Sequence, residues 1–289
     1  MASYALESGG LAEVTSVLRS NYDVVLNRGY SIDSLEHGKG IKDFRPSHIL
    51  NKVPEVVKDG LPRFDYIIVA TKNVPDVRPS VLDLIEPAVT PTETTIVLLQ
   101  NGLHIEKPII ERFPGNVVWS GVSIISASEP SHGVIIHELD DICKVGPFDA
   151  LEVPAATAEA EARRLVTMYN ACGKVKWQFD DNVSFTRWRK LIYNSSFNSV
   201  SAILKMGVVR MRMTRHIIDD LVRPAMLEIV ATAKAAGIEL PDGVDDFFIH
   251  LDPADEDFMP SMGQDSIKVS FYQVHDGTLP WYLLTLLAC

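Results

Sequence analysis

Two continuous apolar runs of strand length, Tyr66 to Ala70 (YIIVA) and Thr95 to Leu99 (TIVLL), constrain this chain more than any other feature of its sequence. A strand with one wet face alternates apolar and polar residues, because successive side chains point to opposite sides. Runs without alternation suit strands covered on both faces, as in a parallel sheet flanked by helices. Between the two runs, Asn73 to Val89 is a helical stretch interrupted by prolines. The same alternation extends both ways. Ala2 to Ser8 has helical spacing and stops at Gly9-Gly10, Glu13 to Leu18 is a short β-branched run, and Ser20 is placed to cap a helix reaching Asn27. Val117 to Ser126, Val134 to Glu138 and Lys144 to Gly146 read as strands, Ala155 to Asn170 as an Ala-rich helix, and Lys174 to Phe179 as a last strand. After Asp180 the pattern turns helical, at Val183 to Lys205 and Arg215 to Ala236, and no strand of comparable quality follows. The expected class is α/β, with a mostly parallel sheet domain over residues 1–179 and an all-helical domain over 180–289.

Composition narrows the partners. The 289 residues are 46% hydrophobic and 22% charged, a globular mix. Thirty-eight acids against 27 bases give a net charge of −11, which argues against nucleic acid or an anionic membrane as partner. Three cysteines (Cys143, Cys172 and Cys289) stand far apart without a C-x-x-C, so neither a disulfide framework nor structural zinc is suggested, and a reducing, cytoplasmic setting is expected. The eight histidines show no metal-binding spacing, and no Gly-x-Ser-x-Gly is present. Neither a signal peptide nor a membrane span is expected, since the apolar runs are short and no basic segment opens the chain.

A domain of this kind takes a nucleotide at the carboxyl ends of its strands, through a G-x-G-x-x-G turn between the first strand and first helix. That turn is absent, and Gly9-Gly10 lies at the wrong end of a helix to replace it. The economical expectation is that about a dozen residues, carrying a first strand and its glycine turn, belong ahead of Met1. A helix-first fold without such a turn is the competing reading.

Several short motifs stand in a familiar order. They are Leu18-Arg19-Ser20, Val69-Ala70-Thr71-Lys72, Leu98-Leu99-Gln100-Asn101-Gly102, Trp188-Arg189-Lys190-Leu191-Ile192-Tyr193-Asn194 with Asn198, and Pro260-Ser261-Met262-x-Gln264-Asp265. In this order the chain resembles the ketopantoate reductases (2-dehydropantoate 2-reductases) of the fungal type, over about residues 1–265. The resemblance implies a Rossmann-like sheet domain followed by a helical substrate domain, with the site in the cleft between them. It implies NADPH-dependent reduction of a small-molecule 2-oxo acid, ketopantoate, to the 2-hydroxy acid pantoate in pantothenate biosynthesis. A homodimer is the assembly expected with it.

Each residue has an ordinary competitor. Arg19 follows the second strand of such a domain, where a cationic fork meets the 2′-phosphate of NADP; otherwise it is a solvated arginine. Lys72 is a cofactor contact by resemblance, or a plain strand-end lysine. Asn101 would sit near the nicotinamide, although Asn-Gly is also a good turn. Lys190, Asn194 and Asn198 recur at spacings of four, so on a helix they share one face with a drift of about 40° per step. A lysine and two amides amid Trp188, Leu191, Ile192 and Phe197 suit a ligand site, the alternative being a solvated polar stripe. By resemblance Lys190 is the proton donor, Asn194 and Asn198 orient the substrate, and Ser261 receives its carboxylate, or merely caps a helix.

The tail departs from the family. Ser266 to Cys289 reads SIKVSFYQVHDGTLPWYLLTLLAC, where the family continues with a basic, Gly-containing turn and an acid opening a long final helix. The acid's position is Gln273, so that residue is not carried over, and the apolar tail around Pro280 looks like a changed reading frame or a retained intron. Two other functions stay open: a related NADP-linked hydroxyacid dehydrogenase with another substrate, and an inactive or non-catalytic reductase-like protein.

Overall fold

A computed structural model describes residues 1–74, 76–148, 152–272 and 284–288, with 268–272 and 284–288 described as backbone. The expectations for Gln273, Pro280 and Cys289 lie outside the described residues. The chain divides into two compact units, Met1–Val183 with Trp281–Cys289, and Ser184–Pro280. The expected boundary stood after residue 179, with the tail in the helical part; the tail instead joins the first unit, for a reason that lies in the sheet.

Unit 1 opens with α1 (Ala2–Gly9), β1 (Glu13–Val17), α2 (Tyr22–Arg28), β2 (Tyr30–Ser34), β3 (Gly38–Phe44), β4 (His48–Leu50) and α3 (Val56–Asp59). It continues with β5 (Tyr66–Val69), α4 (Val81–Ile85), β6 (Thr95–Leu98), α5 (Lys107–Arg112), β7 (Val118–Ser131), β8 (Val134–Pro147), α6 (Ala155–Asn170) and β9 (Lys176–Phe179), and Leu284–Ala288 returns as β10. These strands form one sheet in the order β3-β2-β8-β7-β6-β5-β10-β1-β4, with β9 beside β8. The pairs β1–β4, β2–β8, β5–β6, β6–β7 and β8–β9 are parallel. The unbroken apolar runs explain the centre. In β5, Tyr66 and Ile68 join the core beneath α1 and α6, with Leu6, Ala162 and Leu165, while Ile67 and Val69 join the opposite core, with Ile85, Ile109 and Ile110. Each fully buried side chain of this size contributes about 1.5–3 kcal/mol, which is why neither face can be polar.

Three features differ from the sequence reading. The expected strands at 117–126, 134–138 and 144–146 are two long arms of one hairpin, β7 and β8, whose register shifts between Ile124 and Ser131 break the alternation. The hairpin β2–β3 was not expected, because β3 reads GKGIKDF and is mostly exposed, the composition of a protected edge. The expectation that no strand follows residue 180 is overturned by β10, which lies antiparallel between β1 and β5.

Unit 2 takes α7 (Val183–Tyr193) through a π turn at Asn194–Asn198 into α8 (Ser199–Leu204). After α9 (Val208–Met213) and α10 (Arg215–Ile217), a second π turn at Ile218–Val222 leads into α11 (Arg223–Ala235), then α12 (Val244–Ile249) and α13 (Ser261–Tyr272). The second turn has a local cause: Pro224 lacks an N–H and crowds the preceding turn, so the ladder widens just before it. Ile192 and Phe197 pack with Val208, Met211, Met226 and Phe248 in the core of this unit. Among the described residues no helix is long and apolar enough to cross a membrane, and no group of three or more His, Cys, Asp or Glu is placed to hold a metal ion.

Candidate functional site

Within unit 2, three of the four singled-out residues meet. Asn194 and Asn198 bound the first π turn, and Ser261 opens α13. A π turn closes i→i+5 hydrogen bonds, so it holds more residues per turn than an α-helix. Residues four apart, which drift along an α-helix, therefore come closer to alignment. Asn198 Nδ2 donates to Asn194 Oδ1 at 2.8 Å and lies 3.5 Å from Ser261 Oγ. Asn198 is only 4% exposed, and its Oδ1 is buried and accepts no hydrogen bond among the described residues. Native structures seldom leave a buried acceptor so, and a ligand donor is a ready explanation. Lys190 lies one turn before Asn194, in the last turn of α7, and is half-buried.

The approach of α13 depends on Gly263. A Cβ there would stand 2.4 Å from Ser201 Oγ of α8 and 2.7 Å from Met259 Sδ, so any larger residue would push Ser261 away from Asn198. On its far side the π turn is anchored by groups that the sequence reading missed. Tyr193 donates its hydroxyl to Asp252 at 2.6 Å, and burial, then Asp252, hold that hydroxyl far above its ordinary pKa. Arg212 donates to the carbonyls of Ile249, Asp252 and Pro253, which fixes the loop that carries Asp252. No local pattern signals a pair 59 residues apart.

Within unit 1, the other three residues lie at one edge of the sheet. Arg19 follows β1, Lys72 follows β5 and Asn101 follows β6, each exposed just past the carboxyl end of its strand. Ser20 caps nothing here; the N-cap of α2 is Asn21, whose side chain instead accepts from Gly133 N–H at 3.1 Å in the β7–β8 turn. Neighbouring strands lie about 4.8 Å apart, so with β5 and β10 in between the three strand ends span about 14 Å. Gln100 ties two of them together, donating to Thr71 carbonyl at 2.8 Å and Thr71 Oγ1 at 3.0 Å. Both are buried, so Lys72 and Asn101 leave a braced pair of strand ends. Gly102 adopts φ +123, a backbone state that side chains disfavour, which lets the chain turn immediately after Asn101.

The sequence profile described as "Ketopantoate reductase PanE/ApbA" matches residues 1–150, and its C-terminal counterpart matches residues 182–270. The chain belongs to the ketopantoate reductase family. An uncharacterized protein of Saccharomyces cerevisiae is 32% identical over 278 residues, covering 89% of this chain and 76% of that protein. The crystal structure of 2-dehydropantoate 2-reductase from Geobacter metallireducens is 25% identical, with a TM-score of 0.77 over 92% of this chain and 83% of the other. The fold is shared further, by D-mandelate dehydrogenase in a ternary structure with NADH and anilino(oxo)acetate, at 21% identity and TM-score 0.74 over 92% and 81% of the chains.

Ketopantoate reductases so described invite a test of the sheet against a nicotinamide dinucleotide. Such a ligand rests its pyrophosphate on a glycine turn that leaves the central strand and opens a helix. The central strand here is β10, and its first residue, Leu284, not its last, stands at the ligand edge, opposite Val17 and Val69. The glycines of α1 end that helix, Gly10 capping it at φ +68. Among the described residues the edge suits the outer parts of a dinucleotide but offers no cradle for its pyrophosphate.

Proposed function

We propose that this chain carries the acid-binding machinery of a 2-dehydropantoate 2-reductase, with ketopantoate as the 2-oxo acid and pantoate as the 2-hydroxy acid. The observation that carries the reading is the buried, unsatisfied Asn198 Oδ1 beside Asn194 and Ser261. An oxo acid with a hydroxyl supplies the missing donor. Ser261 and the first N–H groups of α13, a helix of 12 residues, suit its carboxylate, since the opening N–H groups of a helix have no partner within it. Lys190 stands about 6 Å along the helix from Asn194, within reach of a lysine side chain. As an ammonium it donates a hydrogen bond to the oxygen on C2, stabilises charge that gathers there, and gives up a proton.

NADPH is the reductant proposed with this reading, with Arg19 for its 2′-phosphate and Lys72 and Asn101 beside it. Since the pyrophosphate finds no cradle among the described residues, the part assigned to this chain's own side chains is acid recognition and proton delivery. A role in pantothenate biosynthesis and a homodimer belong to the same proposal. So does a cytoplasmic setting, which suits Cys172 as a free thiol.

Calorimetric titration tests the reading. Ketopantoate and pantoate should bind, and Asn198→Ala should weaken both by about tenfold, the worth of one satisfied hydrogen bond. 3,3-Dimethyl-2-oxobutanoate, which has a hydrogen in place of the hydroxyl, should bind the parent chain as weakly as ketopantoate binds the variant. Equal affinity for the two oxo acids would remove Asn198 from the site, and a preference for an aromatic hydroxy acid would redirect the reading to another hydroxyacid dehydrogenase.

A further inference from the structure

The position of β10 has a consequence for the whole dinucleotide edge. Read from one side, the sheet runs β4-β1-β10-β5-β6-β7, with β1 and β4 parallel, β5, β6 and β7 parallel, and β10 antiparallel to both its neighbours. Sheets that bind dinucleotides run 3-2-1-4-5-6, and strand 1, at the point where the order reverses, delivers the phosphate-binding turn. In this chain the slot of strand 1 holds β10. Its ladder with β1 runs from Glu13–Ala288 to Val17–Leu284, and its ladder with β5 from Tyr66–Leu287 to Val69–Leu284. Among the described residues no other ladder joins β1 and β4 to the rest of the sheet.

Direction decides the effect. A parallel strand in this slot would end at the edge that carries Arg19 and Lys72 and could turn there into α1. An antiparallel strand starts at that edge and ends at the opposite one, so it fills the backbone hydrogen bonds of β1 and β5 without presenting a turn to a phosphate. The sequence of β10, LTLLA, is apolar at four positions of five, the composition of a strand for a sheet interior. Antiparallel pairing also gives a slightly better ladder than parallel pairing.

We propose that β10 is a resident strand plug: the chain's own C-terminal segment completes the sheet in cis, keeps the dinucleotide crevice shut, and gives way to a parallel strand that carries a glycine turn. The proposal rests on the proposed function only in naming NADPH as the ligand excluded.

Three measurements test it. In the unmodified chain, amide hydrogen exchange should show residues 284–288 protected together with 14–17 and 66–69; exchange of 284–288 at the free-peptide rate overturns the plug. Titration of the same chain, followed by NADPH fluorescence, should give a Kd above about 1 mM. Tight NADPH binding while 284–288 stay protected overturns the closed crevice. The third protein is the full chain extended before Ala2 by an apolar strand of about six residues and a G-x-G-x-x-G turn. It should lose protection at 284–288 and bind NADPH at least about 100-fold tighter than the unmodified chain. Retained protection without NADPH binding in the extended chain overturns the exchange of strands. Ketopantoate titration of both chains separates the two readings: its failure removes the acid site and leaves the strand results standing.

Discussion

Lys190 and Asn198 ask different things of a ligand, and their variants should differ accordingly. On the proposed function, Lys190→Ala removes a charged donor from the oxygen on C2, a loss of about 1.5–3 kcal/mol, so ketopantoate affinity should fall by about one to two decades. Arg19→Ala, in the other unit, should leave acid affinity unchanged, and calorimetry of both variants checks the contrast. The pairing of Asn194 with Asn198 was legible because helical spacing puts residues four apart on one face. The orphan oxygen of Asn198 was not, since it depends on Gly263 letting α13 close over it. Asp141 is the opposite case. It falls in the gap between the strands expected at 134–138 and 144–146, yet it is 3% exposed and accepts from Tyr169 hydroxyl at 3.0 Å and Trp177 Nε1 at 3.1 Å. Tyr169 and Trp177 also stack at 3.6 Å between ring centroids, so the carboxylate holds a pair of rings in register. Asp141→Leu should leave two buried donors unpaired and cost about 2–6 kcal/mol in urea unfolding, at about 1–3 kcal/mol for each donor. A change under about 0.5 kcal/mol would mean that water replaces the carboxylate there.

At the scale of elements, legibility followed how local each cause was. The strands β5 and β6 and the helix α6 were read with nearly their observed bounds, because their burial pattern is written in consecutive residues. The two π turns were read as plain helix, since nothing in NSSFN or IDDLV interrupts a helical pattern. A single π turn amounts to one residue more than an α-helix needs, and such turns recur at functional sites. Ser195 is that residue in a convenient place, because its hydroxyl bonds back within its own helix, to the carbonyls of Leu191 at 2.7 Å and Ile192 at 3.5 Å. Deleting Ser195 should convert the π turn to α-helix and leave the flanking helices in phase. Unit 2 should keep its stability within about 1–2 kcal/mol, while Asn194 and Asn198 lose their alignment and ketopantoate affinity falls at least about tenfold. Circular dichroism with calorimetry checks both halves of the expectation. Loss of the fold together with binding would instead make the turn a packing device.

For the whole molecule, family membership was legible because its short motifs sit in order along both units, whereas the middle of the sheet was not. The pairs that place β10 run from Glu13 to Ala288 and from Tyr66 to Leu287, and no local pattern encodes contacts across nearly the full length of a chain. A tail that read as foreign to the family is therefore the piece that joins the two halves of its sheet. This makes the stability of unit 1 depend on five residues at the other end of the chain. Leu286 lies opposite Thr15 of β1 and Ile67 of β5, at the middle of both ladders. Proline there has no N–H to donate and a φ fixed near −65°, and interior strands do not accommodate it. Leu286→Pro should forfeit at least one buried ladder bond, about 1–3 kcal/mol, and more if the strand leaves the sheet. Hydrogen exchange should then show 14–17 and 66–69 losing protection together, while amides of α7 and α11 in unit 2 keep theirs and ketopantoate affinity stays within about twofold of the parent. If 66–69 remain as protected as before, β5 draws its stability from β6 and the two cores alone. If unit 2 loses protection as well, the two units unfold as one, and the stability of the proposed acid site depends on the strand too.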